Sequence, residues 1–532
     1  MNGRRNMRKE LIANSFGTNP LEGISYYNAE KRLENVARYH KTMELHKNTD
    51  ELVDDITWED LEMDQVFLRM NHTNSFIGEQ VLYHRLHDLK NYSKEKTFDQ
   101  FEKKLNFFEE NPKERFEIET RLNDIGKRDD AYYLPEFLQN TELWSISNTF
   151  LLHVLQVLLV VSLVLAIAMN RDIFVIGFVG VAILNLTIYM RTKTKYEVYL
   201  NALSVFKQVY DFAKWMGKYH NQSLLISEEV KSAIQSLKKI SSVILDMSTR
   251  KQNTLTGDVF AIVYDYVWGI TLLDLATFNY IMKVIQNKKD DVWKLLQFAG
   301  ELDSEIGVLS YRKSLGQWCK PYHRNTGIMA EGLAHPLLGS PVKNDFQLEN
   351  RAIITGTNAS GKSTFMKAVA INCILAQTVH TCTADQFALM NTQVMTCMSL
   401  RDDVLSGESY YFREAKYLKR MLDKIESGKQ IFCVIDEILK GTNTKERIAA
   451  SKAILDYLGK RDCLTLVATH DNELTENTFY HNYHFESIIQ NSDISFDYRI
   501  REGVSTESNA IALLSLLGYP KEIVRQAKEN IA

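Results

Sequence analysis

The amino-acid sequence predicts an α+α/β chain: a helical first part, interrupted by a helical hairpin, followed by an α/β domain built on a sheet. Three observations predict it. No proline lies between Pro135 and Pro321, so nothing in that run must break a helix. Inside the run, two apolar segments without a single charge sit almost back to back. From Phe346 onward, short β-rich runs alternate with helical patterns, the layout of an open α/β sheet.

Taken in order, residues 1–50 are polar and partly helical in pattern, and are expected to form an adaptor segment rather than a domain. Its first residues, MNGRRNMRKELIANSFG, hold no apolar core or small-residue cleavage site, so no secretory signal is read there. Residues 51–140 put apolar side chains at helical spacing, as in Phe101, Leu105 and Phe108. Residues 149–190 hold the hairpin: Thr149 to Met169, then Ile173 to Met190, separated by Asn170, Arg171 and Asp172. At about 1.5 Å rise per residue each segment can cross a hydrocarbon core about 30 Å thick. Trp144 and Tyr189 flank the ends that would share one interface, and Arg191, Lys193 and Lys195 follow at once, which puts that side in the cytoplasm. The competing reading is a buried hairpin in a soluble bundle; the length and the absence of charge argue against it. Two spans would leave both flanks on the cytoplasmic face of the cell membrane. Residues 191–330 read as helices again, with amphipathic stretches at Val198–Trp215 and Val292–Leu309. In residues 331–532, AIIT, QVMTCMSL, IFCVI and LTLVAT are the strand candidates.

Composition bounds what such a chain can do. Apolar residues make up 45 % and charged residues 24 %, which excludes wholesale disorder. The formal net charge of −4 gives no global basic footprint, so any nucleic-acid contact must come from a local patch. The six cysteines form no CxxC pair and read as free thiols in a reducing compartment.

The chemistry concentrates in the last third. Gly356-Thr357-Asn358-Ala359-Ser360-Gly361-Lys362-Ser363 matches GxxxxGK[ST], follows the strand Ala352–Thr355 and opens a helix at Thr364. The glycines let backbone N–H groups approach phosphates, and the helix N-terminus adds partial positive charge. Lys362 would reach the β- and γ-phosphates of ATP, and Ser363 would bind Mg²⁺. The run Ile431–Ile435 ends in two adjacent carboxylates: Asp436 to hold Mg²⁺, Glu437 to orient or deprotonate the attacking water. Ser406-Gly407-Glu408-Ser409 precedes the helical pattern Tyr410–Ile425 and offers hydroxyl and N–H groups suited to a phosphate, although an ordinary helix cap uses the same residues. His470, after the run LTLVAT, is positioned to sense the γ-phosphate.

Together these segments resemble the MutS mismatch-repair ATPases. ITGTNASGKST is similar to that family's phosphate loop, DDVLSGESYYFREAKYLKRML to its signature segment, IDEILKGTNT to its Asp-Glu strand and turn, ATHDNELTE to its histidine switch, and YRIREGVSTESNAIALLSLLGYPKEIVRQA to its closing segment. WEDLEMDQVFLRMNHTNSFIGEQVLYHRL, from Trp58, resembles the start of its helical core, GELDSEIGVLSYRKSLGQWCKPY its return, and GLAHPLL the entry to the ATPase. The resemblance implies a MutS-like helical core with levers and a P-loop, ABC-type ATPase domain. It also implies the cofactors ATP and Mg²⁺, with Gly356 to Thr364 around the phosphates. Ser409 matches the serine that contacts the partner subunit's ATP, which implies a homodimer with composite sites; Tyr498 falls where the family has an adenine-stacking ring.

Two departures shape the functional expectation. The family's mismatch reader carries a Phe-x-Glu wedge in a domain before the core. The residues preceding Trp58 are too few for that domain, and Phe107-Phe108-Glu109 lies in a helical pattern of the core. The hairpin, moreover, stands where the family continues to its levers and DNA clamp. The expectation is a membrane-anchored, dimeric ATPase whose nucleotide state moves a helical core that clamps DNA without mismatch selectivity. The alternative is a membrane-bound protein-interaction switch that touches protein partners and no DNA. A transporter is a weaker third, because the hairpin has no charge to line a pore.

Overall fold

The computed structural model of the protein describes residues 2–22, 29–44, 51–89, 98–140, 148–169, 171–220, 222–244, 259–357, 360–398, 410–490, 493–504, 514 and 518–530. Helices account for the described regular structure up to Ser314, and the strands lie between Tyr322 and Glu502. This mixture agrees with the α+α/β expectation.

The helical part is organised around two helices that approach closely. Phe76–His87 packs on Lys289–Ser314, and two glycines set the distance. A Cβ on Gly300 would stand 2.4 Å from Val81 Cγ2, and one on Gly78 would stand 2.1 Å from Asp303 Oδ2. Asp303 is buried and caps the first helix from the second, accepting from Ser75 N at 2.7 Å and Ser75 Oγ at 2.5 Å. The helix Leu33–Glu44 joins the same core, burying Val36 and Tyr39 against Phe76–His87. Phe101, Leu105 and Phe108 are buried on one face of Asp99–Glu110, as their spacing predicts.

Thr149–Met169 is one helix, as expected. The second apolar segment is not a separate helix ending at Met190. It is the first part of a continuous 48-residue helix, Asp172–Tyr219. The reason is local: from Val181 to Met216 there is neither glycine nor proline, and the change from apolar to charged side chains at Arg191 does not interrupt backbone hydrogen bonding. Its far portion buries Leu203, Phe206, Val209 and Ala213 in the helical core. Thr149–Met169 and Asp172–Thr192 are both long and apolar enough to cross a membrane, with only 17 % and 11 % of their most apolar windows buried inside the protein.

The last part holds two sheets. β1 (Tyr322–His323), β2 (Ile328–Leu333), β3 (Asn344–Leu348) and β5 (Gln386–Leu389) form a four-stranded sheet in the order β1-β5-β2-β3. β4 (Arg351–Thr355), β6 (Gln393–Cys397), β7 (Ile431–Asp436), β8 (Leu464–Ala468), β9 (His481–Gln490) and β10 (Asp493–Glu502) form a six-stranded sheet in the order β10-β9-β4-β8-β7-β6. All its neighbours run parallel except β10, which turns back on β9. The four strand candidates of the sequence are β4, β6, β7 and β8. β4, β7 and β8 are buried almost throughout, which is why they read as unbroken apolar runs.

The two parts meet at named joints. Asp60, in the helix Asp55–Asp60, accepts from Thr396 Oγ1 at 2.7 Å and from Met398 N at 2.9 Å, at the end of β6. Glu102 receives Arg312 Nη2 at 2.6 Å, His380 at 2.7 Å and Lys320 at 2.7 Å; His380 closes the helix that starts at the phosphate loop.

Candidate nucleotide site

Sheet register assembles the site. β8 lies between β4 and β7, with Ala468 level with both Ile354 and Asp436. The segments leaving these strands, with Gly356, Asp436-Glu437 and His470, therefore emerge side by side at the carboxyl end of parallel strands. In open α/β sheets this end is where ligands bind.

Gly356 has φ 143° and Gly361 has φ 103°, values open to glycine and strained for other residues. A Cβ on Gly356 would come within 2.8 Å of Phe485 O. The loop opens the helix Lys362–Val379, whose first turn holds Ser363 and Thr364. Asn358 and Ala359 lie outside the described residues. Lys362 is buried and donates from Nζ to Gly356 O at 2.7 Å and Thr357 O at 2.9 Å. Burial pushes its pKa down to about 8; Asp436 and Glu437 oppose that shift and Lys440 adds to it. Thr357 Oγ1 and Ser360 Oγ are buried and, among the described residues, have no hydrogen-bond partner.

Ser363 Oγ donates to Asp436 Oδ2 at 2.6 Å. Glu437 has φ 61° and Leu439 φ 57°, an unusual pair of left-handed non-glycine residues. The turn is fixed on both sides: Glu437 N donates to Ala468 O at 2.9 Å, and Lys440 N donates to Glu414 Oε1 at 3.1 Å. The Glu437 carboxylate lies 3.1 Å from His470 Nε2 and 3.4 Å from Lys440 Nζ. Burial alone would raise its pKa, but His470 and Lys440 outweigh burial and lower it.

Tyr498 sits at φ 55° where β10 slips register against β9. Asn344 holds both sides of the slip, donating to Tyr498 O at 3.0 Å and accepting from Ile500 N at 2.8 Å. The Tyr498 ring faces the phosphate loop, 3.0 Å from where a Cβ on Gly361 would stand. Lys362, Ser363, Thr364, Asp436, Glu437, His470 and Tyr498 all line one cavity of about 590 Å³, a size within the usual range for small-molecule sites. Ser409 lies outside the described residues.

Sequence reasoning missed the opposite wall. His335, Leu338, Pro341 and Val342, from the loop between β2 and β3, line the same cavity. Burial and the nearby Lys367 hold His335 at a pKa of about 4, so its ring is neutral. The only signal was the segment GLAHPLL. Glu414, which anchors the turn after Glu437, was also missed; nothing in the sequence says that it reaches a turn so far along the chain. Lys445-Glu446-Arg447 has a structural use: Asn443 caps the helix Thr444–Gly459, and Arg447 pairs with Asp471 at 3.0 and 2.7 Å, beside His470.

The donor set suits a nucleotide with Mg²⁺. A glycine loop at a helix N-terminus presents N–H groups and a lysine to phosphates, and the Ser363–Asp436 pair offers the oxygen ligands that Mg²⁺ prefers.

Strand, glycine loop and helix, with paired carboxylates two strands away, form an arrangement suited to binding phosphates. Residues 352–532, which contain it, match the family model MutS domain V. The chain is 32 % identical over 270 residues to the DNA mismatch repair protein MutS of Natronomonas pharaonis, covering 48 % of this chain and 31 % of that one. It is 28 % identical over 266 residues to the MutS of Pseudothermotoga lettingae, covering 47 % and 32 %, and 26 % identical over 269 residues to that of Thermotoga petrophila, covering 48 % and 34 %. Over residues 352–532 the protein is thus similar to the MutS family. It spans about a third of the length of these curated relatives.

Proposed function

We propose that the chain is a membrane-anchored ATPase whose nucleotide state drives its helical part. The observation that carries this reading is the register of β4, β8 and β7, which gathers Lys362, Ser363, Asp436, Glu437 and His470 around one cavity. The loop from Gly356 to Thr364 cradles the phosphates of ATP, and Lys362 supplies their cation. Ser363 and Asp436 hold Mg²⁺, which, when bound, neutralises charge on the β- and γ-phosphate oxygens. Glu437 stays ionised at neutral pH, because its pKa is lowered, and accepts the proton of the attacking water. His470 fixes the Glu437 carboxylate and reports on the γ-phosphate. Tyr498 and the neutral His335 bracket the base. Ser409 completes the site across a homodimer.

The exposed apolar surface of Thr149–Met169 and Asp172–Thr192 supports membrane anchoring: a hairpin that served as a soluble core would be buried, whereas this one turns most of its side chains outward. With Arg191, Lys193 and Lys195 after the second span, both flanks face the cytoplasm, where ATP is found. The relatives are named for DNA mismatch repair, and duplex DNA is the ligand assigned to the helical part. The net charge of −4 favours a second reading, a protein-interaction switch without DNA.

Two substitutions test the core of this proposal. Lys362→Ala is expected to abolish ATP binding. Glu437→Gln is expected to keep binding and slow turnover by about 100-fold or more, the scale of a general base. Equilibrium binding and steady-state hydrolysis on the detergent-solubilised chain separate the two effects; normal turnover in Glu437→Gln would remove it from the catalytic role.

A further inference from the structure

We propose that the helix Val259–Ile270 and the turn after it form a third lipid-contacting element, lying in the headgroup interface against the hairpin; this rests on the reading of the hairpin as transmembrane. The segment Val259–Leu273 carries one charged residue, Asp265, and four aromatic ones, Phe260, Tyr264, Tyr266 and Trp268. Tyrosine and tryptophan collect at membrane–water boundaries, where one end of the ring is apolar and the other wet. The helix has 12 residues, about 18 Å at 1.5 Å each, too short to span a core of about 30 Å.

Its outward face is apolar. Val263, Tyr266 and Val267 are each half exposed or more, at the spacing of one helix face, and Leu273 and Tyr280 continue the exposed surface beyond the turn.

Its inward end is held by the hairpin, at a depth that places it. Asn185 Nδ2 donates to Ile270 O at 2.9 Å, and Gln156 Nε2 donates to Thr271 O at 3.1 Å. Tyr189 packs on Gly269, where a Cβ would stand 2.7 Å from its ring. Gln156 lies about 10 Å inside the start of its apolar segment and Asn185 about 8 Å inside the end of its own, at about 1.5 Å per residue. The last carbonyls of a helix have no partner within it, and in water the solvent supplies one. Here two amide side chains inside uncharged spans supply it, an arrangement suited to a place where water is scarce. The capped end therefore lies about 8–10 Å inside the ends of the two spans, and the helix packs on the second of them with Val263, Tyr266 and Val267 turned outward.

The test uses single cysteines carrying a fluorophore, in the full chain reconstituted into phosphatidylcholine vesicles that contain brominated lipid. Five of the natural cysteines are buried, and Cys319→Ser removes the sixth. Labels at Val263→Cys and Val267→Cys are expected to lose about half or more of their emission to lipid brominated near the headgroup, because an interfacial helix lies about 5–10 Å deep. A label at Leu163→Cys is expected to respond most to bromine deep in the acyl chain, and one at Tyr219→Cys to neither. Unquenched labels at 263 and 267 with a quenched label at 163 would leave the hairpin spanning and overturn the interfacial helix. An unquenched label at 163 as well would overturn both. Disulfide-linked dimers through Val267→Cys without quenching would assign the face to a second copy of the chain, which also overturns the proposal.

Discussion

Burial holds the Lys362 ammonium at a pKa of about 8, with Lys440 lowering it further and Asp436 and Glu437 pulling it back. The sign of the consequence is set by which form binds. Phosphates need the cation, so in the ligand-free protein the competent form dominates below pH about 8 and is depleted above it. Nucleotide affinity is therefore expected to be flat below that pH and to weaken above it, by up to about tenfold per pH unit for a single linked proton. Titrating a non-hydrolysable ATP analogue from pH about 7 to about 9.5 checks this. Lys362→Arg is the control, because a guanidinium stays charged throughout the range. A constant affinity in the unsubstituted protein would mean that another cation holds the phosphates. Residues of this kind were legible in the sequence because they sit in contiguous strings whose order encodes their geometry. Glu414 and His335 were not, because each reaches the site through a fold contact between segments far apart in the chain.

At the scale of elements, β4, β7 and β8 were legible because strands buried on both faces leave unbroken apolar runs. β9 and β10 were not: His481–Gln490 and Asp493–Glu502 mix charged and apolar residues at the sheet edge, and β10 breaks its own alternation at Tyr498. The end of the second apolar segment misled for a different reason. Hydropathy changes at Arg191, yet helicity does not, because the backbone carries the helix across the change. Between elements, the short helix Asp55–Asp60 is the joint to watch. Its Asp60 carboxylate, buried, ties down Thr396 Oγ1 and Met398 N where β6 runs toward residues 399–409, the segment that contains Ser409. Asp60→Ala leaves both donors unpaired, at about 1–3 kcal/mol each, so a loss of about 2–6 kcal/mol in denaturant unfolding is expected. Because the phosphate loop is untouched, the same variant is expected to lower kcat for ATP more than it weakens ATP binding. Equal losses in both would show that the joint serves stability alone.

At the scale of the whole molecule, one helix of 48 residues runs from the hairpin into the helical core, and the core is pinned to β6 through Asp60 and to the end of the helix Lys362–Val379 through Glu102 and His380. A shift of the proposed nucleotide site thus has a continuous path to the helical part and to the apolar hairpin. If that part grips duplex DNA, as proposed, its side chains decide how. Reading a mismatch means unstacking and kinking the duplex, at a few kcal/mol per step, against an inserted apolar wedge. The Phe-x-Glu string Phe107-Phe108-Glu109 does not supply one: Phe108 is buried in the core, Phe107 packs against it, and Glu109 pairs with Lys313 of the helix Lys289–Ser314. Nor does a formal charge of −4 provide a broad basic surface. Under the proposed function, these helices would bind DNA by shape and phosphate contacts, which are indifferent to one wrong pair and fall steeply with salt. In competition between a perfect duplex, a single-mismatch duplex and a four-way junction, at two salt concentrations and with or without ATP, the two duplexes are expected to compete equally and to weaken together as salt rises. A preference above about tenfold for the mismatch, or about 1.4 kcal/mol, would reveal a reader elsewhere in the protein. Failure to bind all three would favour the protein-interaction switch, with the nucleotide site driving a helical surface that grips another protein at the membrane.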